Sequence, residues 1–114
     1  MLSRPKRNKQ TIIDRQILAL HTAMADKLLS QPQLFEQVHQ VLVQRAENKL
    51  ISYGSWLMWT GILELKNDPS AFRAALLATD ERTAKLRRRT ILTGILSEQE
   101  REEVLATYIA SELR

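Results

Sequence analysis

The 114-residue chain contains no cysteine, which excludes a disulfide framework, a thiolate nucleophile and a cysteine-based zinc site. Glycine is scarce, with Gly54, Gly61 and Gly94 as the full set, so no glycine-rich phosphate loop can be built. Histidine is limited to His21 and His39, without a HExxH spacing or an adjacent carboxylate pair. His21 sits beside Leu20 and one turn from Ile17 and Met24, the setting of a packed histidine. No metal, cofactor or catalytic residue is therefore expected, and the chain is read as a non-enzyme. The longest apolar stretch, Ser55 to Leu63, falls far below the roughly 20 residues that span a membrane. The basic opening MLSRPKRNKQ runs into Thr11, Ile12, Ile13, Asp14 and Arg15, with no long apolar core or small-residue cleavage site. A cytoplasmic, bacterial-type protein is the expectation.

What is present suits one globular domain: 44% of residues are hydrophobic and 26% charged, and the length supports a single core. The net charge is +4, but the charges are segregated. Arg4, Lys6, Arg7 and Lys9 crowd the first ten residues. Lys85, Arg87, Arg88 and Arg89 meet no acid between Arg82 and Ser97. Glu98, Glu100, Glu102, Glu103 and Glu112 then dominate the C-terminal stretch. Such basic clusters suggest an anionic partner.

Apolar residues recur every three or four positions at Ile13, Ile17, Leu20, Met24 and Leu28, which predicts an amphipathic helix over 11–30. Pro32 then opens a second helix reaching about Leu50, because proline disfavours helical geometry in the preceding residue yet suits a first turn. A turn near Ser52 to Gly54 leads to a third helix, apolar on most sides through Trp56, Leu57, Trp59, Ile62 and Leu63, and expected at the centre of the fold. Asp68-Pro69 caps a fourth helix, and Thr79 or Asp80 caps a fifth ending near Arg88. Ile91 to Leu96 is an apolar connector turning at Gly94. Ser97 and Glu100 form a capping-box pattern ahead of the last helix. No segment alternates as a strand would. The fold class is all-α: a single compact domain of five or six short helices over 11–114, preceded by a basic flexible arm over 1–10.

Two binding chemistries fit these residues. Nucleic acid would be held through phosphates by Arg4, Lys6, Arg7, Lys9, Lys85 and Arg87 to Arg89, although a basic run on a short helix is often a solvated face and arginine near a helix C-terminus is favoured by the dipole. A helix-turn-helix is excluded, since the joint from Arg89 to Ser97 is too long and apolar and the final helix offers mainly glutamates. A protein partner, either a second copy or a neighbouring gene product, would meet Arg87, Arg88, Arg89 and Leu92, with Trp56 or Trp59 as further contacts, because aromatic and arginine side chains dominate binding hot spots. A structural homodimer through the tryptophan face is a third alternative. Glu98, Glu102 and Glu103 have the charge to fold back on Arg87 to Arg89.

The stretches ILALHTAMADKLLSQPQL (17–34) and AKLRRRTILTGILSEQEREEVL (84–105) are distinctive together. The second carries R-x-x-(S/T)-x-(F/L)-x-G-(I/V)-L-(S/T)-x-x-E-R through Arg87, Thr90, Leu92, Gly94, Ile95, Leu96, Ser97, Glu100 and Arg101. In order and spacing they resemble small all-helical bacterial proteins of the antitoxin type, from mobile-element or toxin–antitoxin operons. That resemblance implies a protein that binds and neutralises a neighbouring toxin. Ile51 to Trp59 departs from the group's pattern.

Overall fold

A computed structural model of the chain describes residues 9–113, which form six α-helices and one 3-10 turn with no strand among them. The helices are α1 (Lys9–Ser30), α2 (Phe35–Glu47), α3 (Tyr53–Leu63), α4 (Pro69–Leu76), α5 (Glu81–Arg88) and α6 (Glu98–Glu112), with the 3-10 turn at Pro32–Leu34. The all-α single domain is as the sequence predicts. The expected arm, with Arg4, Lys6 and Arg7, lies outside the described residues, whereas Lys9 opens α1 two residues before the predicted start.

Four helices begin at side-chain caps that satisfy backbone N–H groups left without intrahelical partners. Ser52 accepts from Ser55 at 3.1 Å, Asp68 from Ala71 at 3.2 Å, and Asp80 from Thr83 at 3.2 Å. Ser97 and Glu100 close the capping box in both directions, at 3.1 and 2.8 Å. The Glu100 carboxylate also accepts from Lys27 Nζ at 2.6 Å, so the group that starts α6 ties it to α1 as well. Lys27 first, then the Ser97 backbone N–H, hold that carboxyl down at about 2.

Two boundaries differ from expectation. Gln31, at φ −130° and ψ 73°, is not helical, so Pro32 starts a 3-10 turn rather than α2 itself. The C-terminus of α2 comes at Glu47, three residues early, because Lys49 turns left-handed at φ 58°. Leu50 N–H then reaches Arg45 O at 2.8 Å and Lys49 N–H reaches Ala46 O at 3.2 Å, a Schellman closure in which lysine occupies the position that favours glycine.

The centre of the fold is α1, not α3 as its all-round apolar sequence suggests. α1 packs against the 3-10 turn, α4, α5 and α6. On α3, Trp59 and Ile62 are buried while Leu57 stays 47% exposed. The core joins Ala25 and Leu28 of α1 to Val38, Trp59, Phe72 and Leu76, with Phe35 meeting Phe72 edge to face at 5.3 Å. The joint between α5 and α6 also belongs to this core, because Ile91, Leu92 and Ile95 are all buried. Leu92 is therefore not available to a partner, which corrects the reading of it as a contact residue. Gly94 makes the joint's turn at φ 78°, and a side chain there would crowd Gln37 Nε2 at 3.1 Å.

The left-handed lysine gives a direct check on this geometry. Lys49→Gly relieves a conformation unfavourable to side chains, and is expected to raise unfolding stability by about 1 kcal/mol, a few degrees in Tm. A lower Tm would contradict the Schellman closure.

Candidate functional site

Side chains of an α-helix turn by about 100° per residue, so a run of adjacent cations cannot share one face. The run on α5 divides three ways. Arg87 points inward and is only 4% exposed. Its Nη1 donates to Leu76 O and to Ala78 O, each at 2.8 Å. These carbonyls lie at the C-terminal end of α4, where a cation meets both unpaired acceptors and the negative end of the helix dipole. Burial lowers the Arg87 pKa from its ordinary value, against the raising influence of Asp14 and Asp80, but a guanidinium stays protonated.

Arg88 is spent on a carboxylate. Nε and Nη2 form a two-point pair with Asp14 of α1 at 2.8 and 2.6 Å, and Nη2 also reaches Glu81 at 3.2 Å. This pairing raises the Arg88 pKa and lowers that of Asp14. The planar fork of arginine suits such two-point recognition. The glutamates of α6 do not fold back on the run: Glu98, Glu102 and Glu103 make no ion pair with a described residue.

Lys85 and Arg89 face outward together with Arg82, at spacings of three and four that place them on one side of α5. They border a groove of about 680 Å³ between α3, α5 and the end of α2. Arg45 and Arg88 complete its cationic lining, and no aspartate or glutamate lines it. Arg45 also fastens the start of the joint by donating from Nη1 to Arg89 O at 3.1 Å. Arg82, Lys85 and Arg89 have no carboxylate partner among the described residues. Leu50, Ile51, Leu57 and Met58 supply the apolar surface, over a base formed by Trp59. Leu50 is 68% exposed, and the left-handed Lys49 immediately before it directs it there. The exposed Leu50 and Leu57 thus share one groove with cations that have no carboxylate partner among the described residues.

The sequence-predicted contacts are thus separated. Arg89, Arg88 and Lys85 line the groove, and Trp59 closes it from beneath at 1% exposure. Arg87 and Leu92 are interior, which corrects their reading as partner contacts. Trp56 lies outside the groove, half-buried, with the exposed Tyr53 ring stacked on it at 6.1 Å. Lys9 is at the start of α1 and does not line the groove. Arg45, Arg82 and Leu50 are groove residues that the sequence reading does not single out: Leu50 stands at the expected end of α2, ahead of the turn near Ser52 to Gly54, and Lys49 ends that helix before it.

His21 holds the joint behind this groove. Its Nδ1 is 2.8 Å from Ile17 O and its Nε2 2.8 Å from Thr90 Oγ1. A carbonyl can only accept, so Nδ1 carries the proton and Nε2 accepts from the Thr90 hydroxyl. Thr90 Oγ1 in turn accepts from Leu92 N–H at 3.1 Å. Burial lowers the His21 pKa to about 4, and nearby Arg87 adds to the effect. The ring is a neutral clasp. Among the described residues, no three His, Asp or Glu side chains converge as a metal site, and no helix is long and apolar enough to cross a membrane.

A scan of protein-family models, a search of curated proteins and a search of solved structures each give no match to this chain.

The division of the basic run is testable by stability. Arg87→Met leaves two carbonyls at the end of α4 without their donor and is expected to cost about 3 kcal/mol in chemical unfolding. Arg89→Ala should change stability by less than about 0.5 kcal/mol. Equal effects would contradict the assignment. The histidine clasp makes a pH prediction: between 6.5 and 4 the unfolded chain binds a proton at His21 and the folded chain resists it. Its contribution, roughly 3 kcal/mol at most, is complete above 6.5 and lost as pH falls toward 4. The stability of His21→Leu should fall less steeply across that window than the parent's, and an unchanged slope would refute the clasp.

Proposed function

We propose that this chain is a non-enzymatic, cytoplasmic protein-binding module whose groove between α2, α3 and α5 docks an acidic amphipathic segment of a partner protein. The observation that supports this reading is the lining itself: five cations and no carboxylate, beside exposed leucines. An apolar anchor from the partner would bury Leu50, Leu57 and Met58. Its carboxylates would meet Arg82, Lys85 and Arg89, whose aliphatic stems flank the same surface. Charge complementarity of this kind speeds encounter and sets orientation, while the buried apolar contacts slow release. The resemblance to antitoxin-type proteins makes the product of a neighbouring gene the first partner to test, with neutralisation by occlusion as the outcome.

A second reading draws on a different observation. Tyr53 is 74% exposed and stacked on Trp56, close in sequence to the groove's Ser52 and Gly54, and an aromatic platform beside cations suits single-stranded nucleic acid.

A titration of a fluorescent, leucine-anchored acidic helical peptide decides between them. Under the protein-binding reading, affinity falls as salt rises, and Arg82→Glu with Lys85→Glu weakens it by at least about tenfold while Tyr53→Ala leaves it nearly unchanged. The nucleic-acid reading instead expects tight binding of a single-stranded oligonucleotide that Tyr53→Ala weakens. A peptide affinity untouched by the charge reversals would overturn the groove assignment.

A further inference from the structure

One acidic amphipathic segment of the required chemistry is already on the molecule. α6 has no fully buried residue and packs principally on α1, so one side of a 15-residue helix is uncovered. The outward positions recur at helical spacing: Glu98, Glu102, Ala106, Ile109 and Leu113. Ile109 is 50% exposed and Leu113 81%. The stripe is thus acidic in its first turns and apolar in its last. Glu98, Glu102 and Glu103 make no ion pair with a described residue.

The groove carries the complementary arrangement. Arg82, Lys85 and Arg89 run along α5, and Leu50 and Leu57 lie across from them. Both surfaces join unpaired charges of one sign to exposed apolar side chains, and the signs are opposite. We propose that the groove's occupant, in the absence of another partner, is α6 of a second copy of this chain. This rests on the groove being a docking site for acidic amphipathic segments. Glu98 and Glu102 of one copy face Arg82, Lys85 and Arg89 of the other, and Ile109 and Leu113 cover Leu50 and Leu57. Groove and helix are different surfaces, so every copy offers both. The contact therefore closes into a symmetric pair when it is reciprocal, or extends to higher oligomers when it is not. A partner bearing a better acidic segment would displace α6 and convert the self-associated form into a complex.

Another groove among the described residues does not compete for this role. It lies between α1 and α6 and includes Asp26, Glu100 and Glu103 with Lys27, so an acidic helix would meet like charge there.

Solution mass by light scattering over a dilution series tests the inference, with the chain intact. The parent is expected to be dimeric or larger at high concentration and to dissociate on dilution and in high salt. Glu98→Lys with Glu102→Lys should weaken association by at least roughly tenfold, as should Arg82→Glu with Lys85→Glu. A chain carrying all four changes swaps the signs and should recover it. Circular dichroism confirms that each variant remains helical. A parent that stays monomeric throughout, or association that neither pair of reversals weakens, overturns the α6 assignment. Failure of the four-change chain to recover association, when both pairs weaken it, overturns it as well. If α6 fails but the acidic peptide still binds the groove, the docking reading stands. Loss of both results removes the groove.

Discussion

The rotation of α5 depends on one buried guanidinium. Arg87 sits at the C-terminal end of α4 and donates to Leu76 O and Ala78 O. A charged group in the interior is costly unless its hydrogen bonds are met; here the polar end of a helix meets two of them through Nη1, while Nε stays buried without a hydrogen-bond partner. With Arg87 turned inward, Lys85, Arg89 and Arg82 are carried to the side facing α3, and Arg88 is left to pair with Asp14 on α1. Of the groove's cations, Arg82, Lys85 and Arg89 have no carboxylate partner among the described residues, whereas Arg88 is paired with Asp14 and Glu81.

The remaining polar contacts brace the same arrangement from other directions. Neutral His21 and Thr90 hold the joint after α5 against α1, and Arg45 fastens Arg89 O from α2. Lys27 and Glu100 dock the start of α6. Between these polar ties, Ile91, Leu92 and Ile95 fill the interior. The segment between the two charged helices is consequently a plug in the core, while the groove beside α3 and the outer stripe of α6 lie on the surface. A small domain with little apolar surface to spare leaves Leu50, Leu57 and Leu113 uncovered; the first two share the groove with Arg82, Lys85 and Arg89, and Leu113 lies at the far end of α6 from Glu98 and Glu102.

Local signals predicted the helix starts well because capping is local chemistry. Ser97 with Glu100, Asp68 with Pro69, and Asp80 each act within three residues of themselves. The fate of the basic run was not legible, since Arg87, Arg88 and Arg89 have the same intrinsic chemistry and differ only in what surrounds them. The acceptors of Arg87 are backbone carbonyls 9 and 11 residues away, and the partner of Arg88 is 74 residues away. Periodicity likewise overstated α3 as the centre: an all-round apolar helix signals burial or an uncovered face equally, and Leu57 takes the second. Arg45 is half-buried on α2, and its guanidinium serves the joint and the groove.

Arginine-selective modification with phenylglyoxal, mapped residue by residue by mass spectrometry, tests the central claim most directly. Arg82 and Arg89 should react readily in the folded chain, Arg88 more slowly, and Arg87 only once denaturant unfolds it. Reaction of Arg87 at the rate of Arg89 under native conditions would contradict the account, because the cation that orients α5 would then be on the surface.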